Sequence, residues 1–200
     1  MDGQKTSKLN IGCGKFKKEG YTNVDGYAGF NPDVLHDLDN MPYPFADDTY
    51  DLVEADHVLE HLKQPFHALR ELYRITKDGG TMIIRVPHFS RGFSHPEHRN
   101  GFDVSLPSYF DPKFSARYED DIVMECISMR MHWAAQPYVK KIALSPFIYY
   151  PYFAVGKVID FLANHLFISS RLSTFIASRI WCFWVGGFEE IEYVFSPKKK

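Results

Sequence analysis

Two short stretches near the start of the chain carry residues suited to holding a small ligand. The stretch 9–14 (Leu-Asn-Ile-Gly-Cys-Gly) predicts a buried strand that ends in a glycine turn, and Asn23-Val24-Asp25 predicts a second strand that ends in an acid. Gly12 and Gly14 lack a Cβ atom, so the backbone there can approach a ligand closely. A carboxylate such as that of Asp25 can accept hydrogen bonds from both hydroxyls of a ribose. The pair predicts a nucleoside cofactor at the edge of an α/β sheet, while a lone Gly-x-Gly also fits an ordinary tight turn.

The spacing of these residues argues against a cofactor that contains a pyrophosphate. The dinucleotide fingerprint is Gly-x-Gly-x-x-Gly with an acid about 20 residues further on. Here Lys17 stands at the third glycine position, and Asp25 lies only 11 residues past Gly14, which leaves no room for a full helix between the strands. Because a pyrophosphate binds at the N-terminus of that helix, a nucleoside without phosphates fits better. S-adenosylmethionine is the common cofactor of that kind.

Length and composition indicate a single globular domain. The chain has 200 residues, of which 45% are hydrophobic and 24% charged, enough for a sizeable core. The net charge of −2 and the scattered basic residues predict no nucleic-acid partner. Three well-separated cysteines argue for a reducing compartment. Since we see no apolar signal core and no run of about 18 uncharged apolar residues, we expect a cytoplasmic protein, with peripheral membrane contact left open.

Strands and helices alternate along the first part of the chain, which predicts a largely parallel sheet. We expect an α/β, Rossmann-like fold with a mainly parallel seven-stranded sheet, helices on both faces, a shortened first helix and a C-terminal helical insertion. Residues 1–200 would form one domain, with an aromatic helical insertion over 138–187 before the last strand. The expected strands are 8–11, 21–24, 34–38, 50–55, 81–86, 122–133 and 188–195, the last antiparallel and near an edge, and the expected helices are 58–63 and the segment from Pro65 to the Gly79-Gly80 pair.

Several blocks of this sequence resemble the class I S-adenosylmethionine-dependent methyltransferases, in particular the small domain called type 11. The resemblance covers about residues 8–90. It departs from the family at Asn10, where an acid is usual, at the missing third glycine and at the reduced first helix. The matching blocks are Leu-Asn-Ile-Gly-Cys-Gly at 9–14, Asn-Val-Asp at 23–25, Pro-Tyr-Pro-Phe-Ala-Asp-Asp-Thr-Tyr-Asp at 42–51, His-Val-Leu-Glu-His-Leu at 57–62 and Leu-Tyr-Arg-Ile-Thr-Lys-Asp-Gly-Gly-Thr-Met-Ile-Ile at 72–84.

The resemblance implies where S-adenosylmethionine would bind. Gly12-Cys13-Gly14 would pass beneath its methionine part, and Asp25 would hold the ribose. Asp37-Leu38 matches the position that contacts the adenine, and Asp56-His57 would face the amino-acid end or the sulfonium. Elementary topology agrees, because ligands of open α/β sheets bind outside the carboxyl ends of the strands.

A second motif, His57-x-x-Glu60-His61, has the spacing of an inverted zinc-protease motif. Two histidines at i and i+4 on a helix could bind Zn²⁺. A catalytic zinc site needs a third ligand and a longer helix, and Gln64-Pro65 interrupts this one. We therefore expect no metal, and take His61 as a capping or packing residue.

The long loop after the fifth predicted strand carries the candidate catalytic residues His88, His95 and His98, with Asp103 close behind. One interpretation is a substrate site with one histidine as general base, since imidazole titrates near neutrality. His88 is the first candidate because it leaves a strand at the cofactor edge. A metal-assisted site and a purely structural polar loop are the alternatives.

The segment 138–187 is unusually aromatic and carries scattered basic residues. Its rings fit a lid buried over the active site. They also fit an interfacial surface for a membrane or a lipid-linked substrate. The sequence leaves the two open.

Taken together, these residues predict methyl transfer from S-adenosylmethionine to an oxygen or nitrogen of a small-molecule, glycan or lipid-linked acceptor. The enzyme would align the nucleophile and remove its proton. A degenerate fold that only binds or scaffolds is the alternative from another class, favoured by Asn10 and the reduced first helix. A zinc hydrolase is a third, and it rests only on the 57–61 spacing. The acceptor and the oligomeric state stay open, because fold class does not fix substrate.

Overall fold

A computed structural model describes residues 6–92, 95–114, 121–137, 140–141, 144–165 and 170–199. The chain divides into two compact units, which we name the sheet unit (Met1–Val86, Ser105–Ser128 and Tyr193–Lys200) and the helical unit (Pro87–Val104 and Met129–Glu192). The insertion expected over 138–187 falls within the helical unit. That unit also takes in residues 87–104, so the expectation of a single domain stays a prediction.

Seven strands form one sheet in the order β3-β2-β1-β4-β5-β7-β6. β1 pairs in parallel with β2 and β4, β2 with β3, and β4 with β5. The predicted α/β, mainly parallel seven-stranded sheet is confirmed. The strands are β1 (Lys8–Ile11), β2 (Thr22–Asp25), β3 (Val34–Leu35), β4 (Tyr50–Asp56), β5 (Thr76–Val86), β6 (Met124–His132) and β7 (Glu190–Pro197).

The last strand runs antiparallel to its neighbour β6, as predicted. The Glu189 amide donates to the His132 carbonyl beside one end of the pair, and the Lys198 amide donates to the Val123 carbonyl beside the other. Rising numbers on one strand therefore meet falling numbers on the other, which defines an antiparallel pair. β7 lies one strand in from the edge, which β6 occupies.

Helix α1 (Pro65–Ile75) covers one face of the sheet near β5. Pro65 takes the first turn, where a missing N–H is harmless. Ala68, Leu69, Leu72 and Ile75 recur at helical spacing and are buried. The strand residues Met82 and Ile84 are fully buried as well, so this helix–strand contact forms the core of the sheet unit.

Helix α1 ends earlier than the Gly79-Gly80 pair had suggested. It stops at Ile75, and β5 begins at Thr76, which pairs with Tyr50 before the register shifts. Gly79 has φ +67°, a conformation that glycine adopts without strain. The glycines thus accommodate an irregularity in a strand rather than ending a helix.

Among the described residues of the helical unit, three α-helices follow: α2 (Phe89–Gly92), α3 (Pro146–His165) and α4 (Ser170–Arg179). Single 3₁₀ turns occur over Ala28–Phe30, Leu59–His61, Leu106–Phe110 and Trp181–Phe183. Parts of the predicted insertion (138–139, 142–143 and 166–169) lie outside the described residues. Within the described residues, no helix combines the length and apolar character that crossing a membrane requires.

Candidate cofactor site

Three adjacent parallel strands of the sheet unit end side by side. Ile11 of β1 is in register with Val24 of β2 on one side and with Ala55 of β4 on the other. The residues that come next are therefore neighbours at the carboxyl edge of the sheet, where ligands of this architecture bind. They are Gly12, Asp25 and Asp56.

The glycine turn after β1 depends on both glycines. Gly12 has φ +63°, and a Cβ atom there would lie 2.3 Å from Cγ2 of Val58. Gly14 has φ +50°, and a Cβ atom there would meet nothing within 4 Å. Gly12 is thus needed for packing, whereas Gly14 opens onto free space that a ligand could use. Between them, Cys13 is buried, and burial raises the pKa of its thiol.

Asp25 is held in a fixed orientation at the end of β2. Its Oδ2 accepts a hydrogen bond from the Gly14 amide at 2.8 Å, and its Oδ1 accepts one from the Tyr27 amide at 2.9 Å. The side chain is half-buried. Because a carboxylate has about four acceptor positions, each oxygen can accept one more donor. An oriented carboxylate of this kind suits a pair of ribose hydroxyls.

The next strand end brings Asp37 beside the same turn. The His36 amide donates to the Asp25 carbonyl, and a Cβ atom at Gly26 would lie 3.5 Å from Cα of Asp37. Asp37 is exposed, and its carboxylate accepts hydrogen bonds from the Asp39 amide and the Asn40 side chain. Leu38 is 7% exposed and therefore belongs mainly to the core wall.

Asp56, at the end of β4, lies within a cluster of charges. Lys18 Nζ lies 2.8 Å from the carboxylates of both Glu54 and Asp56. Arg85, which is in register with Asp56 on β5, donates to the same two carboxylates at 3.2 and 2.6 Å. Tyr21 donates its hydroxyl to Glu54 at 2.5 Å. The two carboxylates, Glu54 and Asp56, are therefore balanced in formal charge by two cations, Lys18 and Arg85.

The pKa shifts in this cluster follow from burial and pairing. Burial opposes the charge of Asp56, but the hydrogen bond from Lys18 and the nearby Arg85 outweigh it, so the pKa of this carboxyl is lowered. Burial likewise opposes the charge of Glu54, and Lys18 and Tyr21 reverse the effect and lower its pKa. Burial and the bond to Glu54 raise the pKa of Tyr21 to about 12. All the charged partners are ionised at neutral pH.

The segment between β1 and β2 contains turns and no helix, as the spacing had predicted. Asn10, where relatives are expected to carry an acid, is buried and donates to Asn23 Oδ1 at 3.0 Å. Asn23 in turn accepts from the Lys18 amide and donates to Asp33. This amide pair fixes the turns that replace the helix and so delivers Lys18 to the end of β4.

His57 leaves β4 with a left-handed backbone. Its φ is +54°, and its amide donates to the Arg85 carbonyl. Its Nδ1 lies 3.3 Å from Glu60 Oε1. The helix expected over 58–63 is a single 3₁₀ turn, Leu59–His61, which begins after His57. The helical i, i+4 arrangement that the zinc interpretation needs is therefore absent from residues 57–63.

In the helical unit, His88 is fully buried. Its Nδ1 lies 2.7 Å from Ser90 Oγ, and its Nε2 lies 2.9 Å from Ser178 Oγ. Burial lowers the pKa of His88 to about 4, which keeps the ring neutral at pH 7. This environment fits a structural histidine better than a general base, because both ring nitrogens are already hydrogen-bonded to serine hydroxyls inside the protein. Its catalytic role stays a prediction.

The other two candidate histidines lie together. The rings of His95 and His98 stack with centroids 4.7 Å apart, and His98 Nδ1 is hydrogen-bonded to the Gly92 carbonyl. His95 is exposed and His98 half-buried. Asp103, the acid that follows them in the loop, pairs with Arg179 at 2.6 Å. These histidines remain candidates for proton transfer.

Sequence reasoning missed four residues around Asp56: Lys18, Tyr21, Glu54 and Arg85. Glu54 and Asp56 are two apart on one strand and so share a face. That alternation and the Arg85 position near the end of β5 could have indicated the cross-strand pair. Lys18 gave no such signal, because it reaches the cluster from an irregular segment.

Part of the sequence is similar to known methyltransferases. A family profile described as a methyltransferase domain, type 11, matches residues 21–84. A demethylmenaquinone methyltransferase of Renibacterium salmoninarum is 31% identical over 88 residues, which are 44% of this chain and 31% of that protein. A ubiquinone/menaquinone biosynthesis C-methyltransferase of Pseudoalteromonas translucida is 30% identical over 93 residues, 46% of this chain and 32% of its own length. The chain thus spans less than a third of the length of these curated relatives.

Solved structures match the fold over nearly the whole chain. A Haloferax volcanii methyltransferase structure, determined with the Trm112 methyltransferase activator, superposes with a TM-score of 0.55 at 15% identity, covering 98% of this chain and 84% of that one. An S-adenosylmethionine-dependent methyltransferase of Archaeoglobus fulgidus gives 0.52 at 17% identity, covering 96% and 86%. The chain therefore has the fold of the class I methyltransferases, and its residues 21–84 match the methyltransferase-domain profile, in agreement with the resemblance seen in the sequence. At such identities the superpositions speak for the fold alone, and a [4+2]-cyclase also superposes, with a TM-score of 0.51 at 15% identity.

Proposed function

We propose that the protein is an S-adenosylmethionine-dependent methyltransferase whose cofactor binds at the strand ends of the sheet unit. The observation that carries this proposal is the register of β1, β2 and β4, which sets Gly12, Asp25 and Asp56 side by side. The methyltransferase relatives support the same activity. A scaffold that does not bind the cofactor would not need an oriented Asp25 beside an open glycine turn.

The residues present fit this cofactor. The open space at Gly14 gives room for the methionine part, and the remaining acceptor positions of Asp25 suit the ribose hydroxyls. Asp37 and the wall formed by Leu38 suit the adenine, while Asp56-His57 suits the amino-acid end. When bound, S-adenosylmethionine would supply the methyl group of its sulfonium for direct displacement. The chain's own task would be to orient the cofactor and the nucleophile.

For the acceptor we propose a small molecule with an apolar part, free or lipid-linked. The quinone-pathway names of two relatives support an acceptor of this kind. The sequence suggested an oxygen or nitrogen nucleophile. Because one relative is named a C-methyltransferase, a screen should include phenolic and quinol acceptors that can react at carbon. His95 and His98 are the exposed or half-buried candidates for removing the proton.

Calorimetric titration with S-adenosylhomocysteine tests the first step. We expect S-adenosylhomocysteine to bind to the wild-type protein. Transfer of a labelled methyl group to a member of the acceptor screen then tests catalysis. Binding without any transfer across oxygen, nitrogen and carbon acceptors would favour the scaffold alternative, which Asn10 and the missing first helix support. No binding of S-adenosylhomocysteine would contradict the proposal outright.

A further inference from the structure

The outward side of helix α3 is apolar and exposed to solvent along its whole length. At 100° per residue, the exposed positions cover about half of the helix circumference, and from the first to the last they extend over roughly 27 Å. Eleven exposed residues form this surface, and nine of them have no side chain that can carry a charge near pH 7; the exceptions are Lys157 and His165. We name this surface the α3 outer face, and it consists of Phe147, Ile148, Tyr150, Pro151, Ala154, Val155, Lys157, Val158, Phe161, Leu162 and His165.

The exposure of this face contradicts the lid with all its aromatic rings buried. Phe147 is 92% exposed and Phe161 63%. Further along the helical unit, Phe183 is 75% exposed and Trp184 85%. A continuous apolar surface of this extent is unusual on a soluble monomer and marks an interaction site.

The inner side of α3 fixes which side faces outward. The Asn164 side chain donates to the Met131 carbonyl and accepts from the Met131 amide, both at 2.9 Å. Asp160 accepts from the Trp133 amide at 2.6 Å. A Cβ atom at Gly156 would lie 2.9 Å from Cβ of Ala134. These contacts prevent the helix from rotating and turn its single acid away from the outer face.

The charge of this segment is opposite in sign to that of the chain. Residues 137–188 contain five basic residues and one acid, so their formal charge is +4, whereas the whole chain carries −2. Two of the basic residues are paired with acids outside this range, Lys140 with Glu189 and Arg179 with Asp103. The exposed Lys141 and Lys157 are the basic side chains beside the apolar face, and an apolar helix face with basic residues beside it is the pattern of a helix that lies in the plane of a membrane interface. The basic residues are Lys140, Lys141, Lys157, Arg171 and Arg179, and the acid is Asp160.

Two other occupants fit this face less well. A second copy of the chain, bound through the same face, would bring the Lys157 cations of the two copies onto one apolar interface. A typical protein partner forms about one hydrogen bond per 100–200 Å² of interface, and the α3 outer face offers side-chain groups only at Tyr150, Lys157 and His165. A bilayer needs no array of hydrogen bonds and brings no second cation to the face. Its acyl region accepts apolar side chains, and its anionic headgroups attract basic ones.

We propose that the α3 outer face lies in the interfacial layer of an anionic lipid bilayer, with the helix axis in the membrane plane. Phe147, Val158 and Phe161 contact the acyl chains, and Lys157 reaches the headgroups, as a lysine on an apolar surface does. The aromatic rings suit the boundary between headgroups and acyl chains. This binding is independent of the methyl transfer proposed above.

Flotation with phosphatidylcholine vesicles, prepared with and without about 25% anionic phosphatidylglycerol, measures the membrane binding directly. We expect the wild-type protein to float with the anionic vesicles at low salt and less so at high salt. Val158→Glu should reduce the bound fraction at least tenfold, because it puts a charge into the apolar face. Ile127→Glu is the matched control, since Ile127 is 58% exposed and Val158 60%, and it should float like the wild type.

A second variant separates the electrostatic from the apolar contribution. Lys157→Gln should lower the partition coefficient on anionic vesicles about fivefold and leave that on phosphatidylcholine vesicles unchanged. Binding of S-adenosylhomocysteine by each variant checks that the variant is folded. If the wild-type protein does not bind S-adenosylhomocysteine, that result counts against the methyltransferase proposal and not against the membrane proposal.

Three results would overturn the membrane proposal. They are wild-type protein that stays at the bottom of the gradient, Val158→Glu that floats like the wild type, and Ile127→Glu that is impaired as severely as Val158→Glu. Sedimentation velocity without vesicles could give a fourth result that overturns the proposal. A wild-type dimer that Val158→Glu converts to a monomer would identify a second copy as the occupant of the face.

Discussion

The strand ends of the sheet unit and helix α3 of the helical unit present different kinds of side chain to solvent. In the sheet unit, the core residues Met82 and Ile84 are fully buried, while Asp25 and Asp56 stand half-exposed at the strand ends. In the helical unit, His88 and Asn164 are buried, while Phe147 is 92% exposed. The difference indicates that the strand ends present polar groups suited to a polar ligand, whereas helix α3 presents apolar groups on its outer face.

The largest expected effect tests whether His88 is structural. Its pKa of about 4 in the folded protein lies below the ordinary value of 6.5, so between these values the unfolded chain binds more protons. Stability therefore falls as pH decreases from 6.5 to 4, and this histidine accounts for roughly 3 kcal/mol of the free energy of unfolding over that window. Denaturant unfolding of wild type and His88→Asn at several pH values measures it.

The exposed His95 provides the control for that experiment. His88→Asn should show a shallower pH dependence of stability than the wild type, and His95→Asn controls for the replacement of a histidine at an exposed position. If His88→Asn instead folds with unchanged pH dependence but loses methyl transfer by about 10²–10⁴-fold, the histidine is a general base and the comparison between the units fails at this residue.

The next effect tests the polar strand ends of the sheet unit. Asp25→Ala removes the acceptor of two ribose hydrogen bonds, each worth about 1.5–3 kcal/mol when charge-assisted, so affinity for S-adenosylhomocysteine should fall at least tenfold. Calorimetry measures the dissociation constant. Asp121→Ala is the control, because Asp121 is an exposed acid that pairs with Arg70 and not with the strand-end residues. Unchanged affinity in Asp25→Ala would shift the ribose role to Asp37 or Asp39.

A smaller effect tests the glycine turn. Gly12→Ala places a methyl group 2.3 Å from Val58 Cγ2 at a positive φ, which should lower the free energy of unfolding by about 1–3 kcal/mol. Gly14→Ala meets no atom, so it should cost only the strain of its φ, about 1 kcal/mol. Chemical denaturation compares the two. Equal losses would mean that the contact with Val58 does not constrain the turn.

The smallest effect tests the missing first helix. Lys18→Met removes one of two cations from Glu54 and Asp56 and leaves excess negative charge where the cofactor's carboxylate would approach. Affinity for S-adenosylhomocysteine should fall by about fivefold, the order expected for one partly exposed charge. Affinity for methylthioadenosine, which has no carboxylate, should not change. Equal losses for both ligands would indicate that Lys18 only supports the turn.

Sequence reasoning succeeded where local pattern decides structure. The β1 turn, the β2 acid and the absence of a first helix all follow from residue types and spacing, because strand ends in a parallel sheet must meet at one edge. It failed where a contact joins distant segments, as Lys18 does with Asp56. It also could not assign the α3 outer face, since an apolar helix has the same pattern whether its rings are buried in a core or exposed.

The fixed orientation of α3 has a consequence for how the protein would find its acceptor. Because Asn164 and Asp160 hold the inner side, a protein docked through the outer face would keep one orientation relative to the bilayer as it diffuses. Its search for a lipid-linked molecule would then take place in two dimensions instead of three. Encounter rates would depend on the surface density of the acceptor in the membrane and not on its concentration in solution.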